Sequence, residues 1–255
     1  MSKFVDKLRS TTEGALQPMG FRPGRAVSKE LSMLLIATSP PGEVEAVAEI
    51  ARDNIDAIMV RTGEDNDSLL DELGKIAGNT PWGVMSDAVS REHLEKLLKL
   101  GCDFLAFKAE NAQAVALEEE DMGKILVIEH SLPDSLMAVV GQLSVDAVLI
   151  ANPVDSPLTI RHLMDYYRVA AMTHKPLLME VPDDIDDADL RSLWDMGLDG
   201  AIVELKGEHA REQILRLKGV IENFPPTSKR GQQTMKVTLP QMGALTASVE
   251  EEEEE

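Results

Sequence analysis

An eight-stranded parallel α/β barrel, the (β/α)8 architecture of the TIM type, is the fold class this sequence predicts, and three observations predict it. The first is an internal repeat. Thr80-Pro81-Trp82-Gly83-Val84-Met85, followed by Leu94–Gly101 and Cys102–Glu110, is answered by Lys175-Pro176-Leu177-Leu178-Met179-Glu180, followed by Leu190–Gly197 and Leu198–Leu205. Leu94, Leu97, Gly101, Asp103 and Lys108 align at one constant offset with Leu190, Leu193, Gly197, Asp199 and Glu204. A strand–helix–strand unit recurring at half a chain's distance is the signature of a repeated half-barrel. The second is a series of eight near-continuous apolar runs, which strands buried on both faces of a parallel sheet require. The third is size: 255 residues, 44% of them hydrophobic, suit one barrel better than two domains.

The elements follow in order. Phe4, Val5 and Leu8 stand at helical spacing, so Ser2–Leu16 reads as a short amphipathic helix ahead of the barrel. Gly20-Phe21-Arg22-Pro23-Gly24 breaks the chain into a loop. Strands are predicted over Met33–Ser39, Ala57–Thr62, Trp82–Asp87, Phe104–Ala109, Ile125–His130, Ala147–Asn152, Leu177–Val181 and Gly200–Leu205. Helices with a period near 3.6 are predicted over Val44–Asn54, Ser68–Ala77, Arg91–Leu100, Leu136–Leu143, Ile160–Thr173, Asp187–Met196 and Ala210–Asn223. The Glu-rich stretch Asn111–Met122 makes the weakest helix of the set. Ser90 and Asp186 or Asp187 cap helix starts, and Gly101 and Gly197 close helix ends, where a left-handed residue costs least. Asp56, Asp103, Asp146 and Asp199 each stand just before an even-numbered strand and are expected to cap the turns at the bottom of the barrel. The organisation is an N-terminal extension over 1–30, the barrel over 31–225 and a tail over 226–255. After Pro225-Pro226 the chain is polar and finally all Glu, too poor in apolar residues to offset its ordering entropy, so the tail is expected to be disordered.

Charge excludes whole classes of function. The net charge is −20, from 25 basic and 45 acidic residues, and six of the acidic ones form the terminal run Glu250–Glu255. So acidic a body lacks the clustered Lys and Arg needed to grip nucleic acid, and an anionic membrane would repel it. The lone Cys102 rules out an intramolecular disulfide and fits a reducing cytoplasm. No apolar run approaches the roughly 20 residues that span a bilayer, and Met1–Leu16 lacks the apolar core of a signal peptide. A cytoplasmic protein is expected, and a homo-oligomer is compatible with the composition. The acidic tail would contact a basic partner if it contacts anything.

Chemistry in such barrels sits at the carboxyl ends of the strands. Counting five residues on from each bottom aspartate gives Arg61, Lys108, Ala151 and Glu204. Strand alternation gives them a common direction with Met59, Ala106, Leu149 and Ile202. If that face is inward, two cations and one carboxylate top the even layer, and burial there demands a ligand or mutual pairing. The opposite face (Val60, Phe107, Ile150, Val203) is equally apolar, so a slip of one residue would send the charges among the helices. The odd strands add Ser39, Asp87, Glu129, His130 and Glu180. Lys108, Glu204, Glu129 and Glu180 are the candidate catalytic residues; Arg61, Ser39, Asn152 and His130 are the candidate substrate contacts. Strand-end carboxylates serve as general acids or bases when burial raises their pKa. No HxxxH or HExxH spacing supports zinc, and no Gly-rich phosphate or dinucleotide loop is present. Cys102 begins a strand, the wrong end for catalysis, and reads as a packed core thiol.

Leu35-Ile36-Ala37-Thr38-Ser39-Pro40-Pro41-Gly42 within Met33–Glu64, with Asp56-Ala57-Ile58-Met59-Val60-Arg61-Thr62, resembles the opening of ribulose-phosphate-binding barrels such as indole-glycerol-phosphate synthase. Gly197-Leu198-Asp199-Gly200-Ala201-Ile202-Val203 resembles their last strand. The resemblance implies a (β/α)8 fold and a phosphate site after strands seven and eight. This chain departs from it where the chemistry lies. The family's lysine in strand one is replaced by Ile36-Ala37-Thr38, and its phosphate-wrapping glycines give way to Val181-Pro182-Asp183-Asp184 and Glu204-Leu205-Lys206-Gly207. Acidic residues stand where a phosphate needs amides and positive potential, so the family's catalytic residues do not carry over.

Three readings stand. In the first, an enzyme of lyase or isomerase type acts without a cofactor on a small anionic metabolite held by Lys108 and Arg61. Glu204, Glu129 or Glu180 moves the proton, or Lys108 forms a Schiff base. The second places Mg or Mn among Glu129, Glu180 and Asp87. The third is a non-catalytic binding or scaffold barrel with the tail as its contact element. Truncation after about Thr227 is expected to leave the thermal midpoint unchanged in a melting experiment, because the removed segment has no apolar periodicity; a fall of several degrees would show that the tail docks on the barrel.

Overall fold

The computed structural model describes residues 2–12, 32–39, 54–62, 67–152, 154, 157–182, 184–205 and 209–225. Eight parallel strands run in sequence order around a closed barrel: β1 (Leu34–Ser39), β2 (Ala57–Thr62), β3 (Trp82–Ser86), β4 (Phe104–Lys108), β5 (Gly123–Ile128), β6 (Ala147–Ile150), β7 (Leu177–Val181) and β8 (Leu198–Glu204). Closure is explicit in the ladder of β8 on β1, from Leu34 opposite Gly200 to Thr38 opposite Glu204. The described helices are α1 (Lys3–Thr12), α2 (Asp67–Ile76), α3 (Arg91–Lys99), α4 (Asp134–Gln142), α5 (Ile160–Thr173), α6 (Asp187–Met196) and α7 (Ala210–Glu222). The expected helix over Val44–Asn54, apart from Asn54, the Gly20–Gly24 loop and the tail beyond Pro225 lie outside the described residues.

Two apolar shells hold the fold. Leu34, Ile36, Ala57, Met59, Phe104, Ala106, Ile125, Val127, Ala147, Leu149, Leu178 and Ile202 fill the barrel interior. The alternate residues, among them Leu35, Val60, Leu105, Phe107, Leu126, Ile150, Met179 and Val203, pack outward against Leu94, Leu97, Val169, Leu190 and Leu217 of the helices. Below the strand ends, both faces of the sheet are therefore desolvated, and most strand positions there alternate between two sets of apolar residues. Where the interior is crowded, glycine makes room. A Cβ on Gly83 would lie 2.3 Å from the Phe104 ring, and one on Gly200 would lie 2.6 Å from Leu178.

The internal repeat is visible in the packing. Leu94 and Leu97 of α3 and Leu190 and Leu193 of α6 are buried at equivalent places, and Gly101 (φ 80°) and Gly197 (φ 133°) end the two helices with positive φ. Ser90 Oγ accepts from the His93 amide, and Asp186 caps α6 through the Ala188 amide. The stretch after β4 differs from expectation. Asn111–Met122 forms no α-helix; single 3-10 turns at Ala109–Asn111 and Ala114–Leu117 replace it, as a segment with four acids and few apolar anchors would allow.

The bottom aspartates do what short acidic residues at tight turns should do, with one diversion. Asp56, Asp146 and Asp199 each accept an amide within the first two residues of the preceding strand: Leu35, Lys124 and Leu177, all at 2.9 Å. Asp103 instead caps α1. Its carboxylate accepts from the Lys3 amide at 2.9 Å, the Phe4 amide at 2.8 Å and the Ser2 hydroxyl at 2.8 Å. The cap seats α1 across the barrel floor, where Phe4 stacks on Phe104 at 4.3 Å. Gly123 accommodates it, since a Cβ there would fall 2.8 Å from Val5. At the other closure, Trp194 Nε1 donates to the Ser32 carbonyl and the Ser32 hydroxyl donates to the Phe224 carbonyl, tying α6 and the end of α7 to the start of β1.

Two outcomes follow from the floor. Phe4→Ala empties a fully buried ring site and is expected to cost about 3–5 kcal/mol, lowering the thermal midpoint by about ten degrees in calorimetry. Asp56 gives a pH signature. Burial raises its carboxyl above the ordinary value of 3.8, against the opposing pull of the Leu35 amide and the charges of Lys7 and Lys218. A carboxyl raised on folding contributes stability that is complete below its unfolded pKa and lost as pH rises through the folded one. Asp56→Asn keeps an oxygen for the Leu35 amide, so urea unfolding should find it at least as stable as wild type at pH 7, with a flatter profile on the acid side. A marked loss at pH 7 would mean that the charged hydrogen bond outweighs the desolvation.

Candidate functional site at the barrel mouth

Register decides where the charges go. Met59, Ala106, Leu149 and Ile202 all lie in the interior shell, while Val60, Phe107, Ile150 and Val203 lie in the helix-facing one. Two residues further on, alternation carries Arg61, Lys108, Ala151 and Glu204 onto the inward face at the carboxyl ends of the even strands. The common direction expected from the sequence is present. The expected burial is not: Lys108 and Glu204 are exposed, and the Arg61 side chain is 54% exposed. The strands end at this level, so water reaches charges that a deeper layer would have desolvated.

The layer also pairs across strand parity. Arg61 Nη2 of β2 donates to Glu180 Oε1 of β7, whose side chain is only 13% exposed. The shorter way round the barrel from β2 to β7 passes β1 and β8, so the pair reaches across the ends of both. Thr38, inward on β1 and in register with Met59 and Glu204, is buried, and its hydroxyl has no hydrogen-bond partner among the described residues. A buried hydroxyl without a partner forfeits about 1–3 kcal/mol. Thr38 escaped sequence reasoning because it extends the apolar run Leu34–Ala37; alternation from Ile36 is the one signal that places it inward. Lys108 has no ion-pair partner among the described residues.

The other candidates divide. Glu129 follows β5 on the inward parity of Ile125 and Val127, is exposed, and accepts the Ser131 hydroxyl at 3.1 Å. His130 does not join the mouth. Its parity is that of the helix-facing Leu126 and Ile128, its ring meets Tyr166 of α5 edge-on at 6.4 Å, and its carbonyl accepts from Arg168. Asn152 is exposed in a left-handed turn (φ 79°) after β6. Ser39 ends β1 in register with Val60, and its side chain lies outside the described residues. Among the described residues no three His, Cys, Asp or Glu side chains converge on a metal-holding position, so Glu129, Glu180 and Asp87 are not brought together as a Mg or Mn ligand set. Cys102 is buried at the opposite end, and desolvation pushes its thiol up to about 12, which leaves it protonated at neutral pH. A polar cleft of about 480 Å³ is also at that opposite end, between Arg9 and Thr12 of α1 and Asp146, His174 and Lys175. None of the sequence-predicted mouth residues lines it.

A closed parallel eight-stranded ring, with cations and carboxylates at the carboxyl ends of its strands, defines a (β/α)8 barrel of the TIM type. No protein-family model matches the chain, and no curated protein matches its sequence. Solved structures do share its fold. Orotidine 5'-phosphate decarboxylase from Pyrococcus horikoshii OT3 superposes with a TM-score of 0.58 at 16% identity, over 74% of this chain and 100% of that one. Thiamine phosphate pyrophosphorylase from Pyrococcus furiosus gives 0.57 at 15% identity, over 75% and 96%. The YdjI aldolase from Escherichia coli K12 gives 0.51 at 12% identity, over 79% and 89%. The resemblance to phosphate-binding barrels read from Met33–Glu64 and Gly197–Val203 holds at the level of the fold. No described helix is long and apolar enough to cross a membrane.

Proposed function

We propose that the mouth of this barrel binds a small anionic metabolite and turns it over by acid–base chemistry of the lyase or isomerase type. One observation carries the reading: the inward layer at the strand ends sets Lys108, without an acidic partner among the described residues, in the same ring as the Arg61–Glu180 pair and Glu204. A solvated cation facing a common mouth gives an anion its counter-charge. Lys108 and Glu204, on β4 and β8, stand across the ring from each other and so bracket a ligand rather than neutralise each other. Glu204, Glu180 or Glu129 then takes or gives the proton, and Lys108 is the amine available for a Schiff base. A decarboxylase and an aldolase are among the proteins with this architecture, so carbon–carbon bond chemistry lies within its range.

A second reading, a binding barrel without turnover, is favoured by the acidic residues after β7 and β8, where the resembled family wraps a phosphate. The two separate in experiment. Lys108→Met keeps an unbranched side chain one atom shorter and removes the charge. It is expected to abolish binding of anionic metabolites in a thermal-shift panel while the unliganded midpoint stays within a few degrees of wild type, because the residue is exposed. Unchanged binding would remove Lys108 from the site. Thr38→Val replaces a buried hydroxyl without a partner among the described residues with a methyl of similar size and is expected to leave stability unchanged or slightly raised; a loss of ligand binding without loss of stability would identify that hydroxyl as a ligand contact. Glu204→Gln that retains binding and loses turnover supports the enzyme, and binding with no turnover in any variant or in wild type supports the binding barrel.

A further inference from the structure

We propose that the Arg61–Glu180 ion pair is an exchangeable latch. An incoming anion takes the Arg61 guanidinium from Glu180, and the released carboxylate becomes the free acid–base group of the mouth. The inference rests on the anion-binding reading above and adds how the site is held closed when empty.

Three observations meet here. The pair joins β2 to β7 across the ends of β1 and β8, so it lies over the mouth instead of along one strand edge. Its two members are unequally buried: the arginine is 54% exposed and within reach of a solute, while the glutamate is 13% exposed and turned inward. Thr38, on the strand the pair crosses, holds a buried hydroxyl with no partner among the described residues. In the latch, this hydroxyl finds its partner when the pair opens and a polar ligand enters.

Magnitudes favour exchange. A half-exposed ion pair is worth about 1 kcal/mol or less, and a guanidinium offers the same planar fork to a ligand carboxylate or phosphate that it offers to Glu180. The anion therefore replaces one charge-assisted contact with another at little net cost. Once released, the largely buried Glu180 carboxylate faces the bound anion with its oxygens free. Lys108 supplies the second cation that keeps the anion from being repelled by that carboxylate.

The test is competition. In the full chain, inorganic phosphate and acetate are titrated by calorimetry at constant ionic strength into wild type, Glu180→Gln, Glu180→Asp, Arg61→Gln and the double variant Arg61→Gln/Glu180→Gln. If the latch operates, Glu180→Gln tightens binding of at least one of the two anions about fivefold, the equivalent of the roughly 1 kcal/mol no longer spent on opening the pair. Glu180→Asp falls between it and wild type, and both variants carrying Arg61→Gln lose the binding. Phosphate gaining alone, or acetate gaining alone, identifies which anion the fork accepts. Should wild type bind in a Lys108-dependent manner while Glu180→Gln binds no better, the latch is overturned and the anion site stands. Tightening that survives in the double variant also overturns it, because the gain would not pass through Arg61. Binding of neither anion to wild type or to Glu180→Gln overturns the latch together with the anion-site reading.

Discussion

Pairing of β8 with β1 is the constraint on which the rest of the molecule depends. Once the sheet closes, each strand residue is committed either to the interior or to the helix layer, and no edge remains to absorb a slip. The ladder from Leu34–Gly200 to Thr38–Glu204 fixes that commitment for the first and last strands, and the other seven ladders propagate it. Arg61, Lys108 and Glu204 face the mouth because Met59, Ala106 and Ile202 fill the interior beneath them. The site is a consequence of packing two and four residues below it.

The two ends of the barrel use charge differently. At the floor, Asp56, Asp146 and Asp199 each accept an amide within the first two residues of the preceding strand, and Asp103 turns from that pattern to cap α1. Those carboxylates are engaged by rigid backbone donors, which makes them structural. At the mouth the acids and bases meet side chains or solvent. Among the described residues, Arg61 and Glu180 hold each other, Glu129 accepts the Ser131 hydroxyl, and Lys108 holds no acidic group. Side-chain partners exchange at far lower cost than backbone ladders, so the charges at the mouth are the more readily rearranged of the two sets.

The repeat shows how one supersecondary plan can serve two purposes. The buried leucines and the positive-φ glycines coincide in both halves. The aspartates after them diverge, with Asp199 bonded to Leu177 and Asp103 to α1. So do the strand ends, where Lys108 in one half answers Glu204 in the other. Equivalent backbone positions thus carry opposite charges on opposite sides of the ring.

The sequence by itself determined the barrel, its strand order, most element bounds within one or two residues, the capping residues and the inward set Arg61, Lys108 and Glu204. These rest on local signals: periodicity, apolar runs, turn residues, and the period-2 alternation that spaces side chains along a strand. It read Asn111–Met122 as a weak helix, where the fold needs only 3-10 turns, and it grouped His130 with the mouth although its ring packs on Tyr166. Only the tertiary structure decided that Asp103 would leave its repeat role for α1, that Arg61 would pair with Glu180 three strands away, and that the buried Thr38 hydroxyl would find no partner among the described residues. Each of these depends on which residues from distant parts of the chain meet when the sheet closes, and closure geometry is a property of all eight strands together that no local window contains.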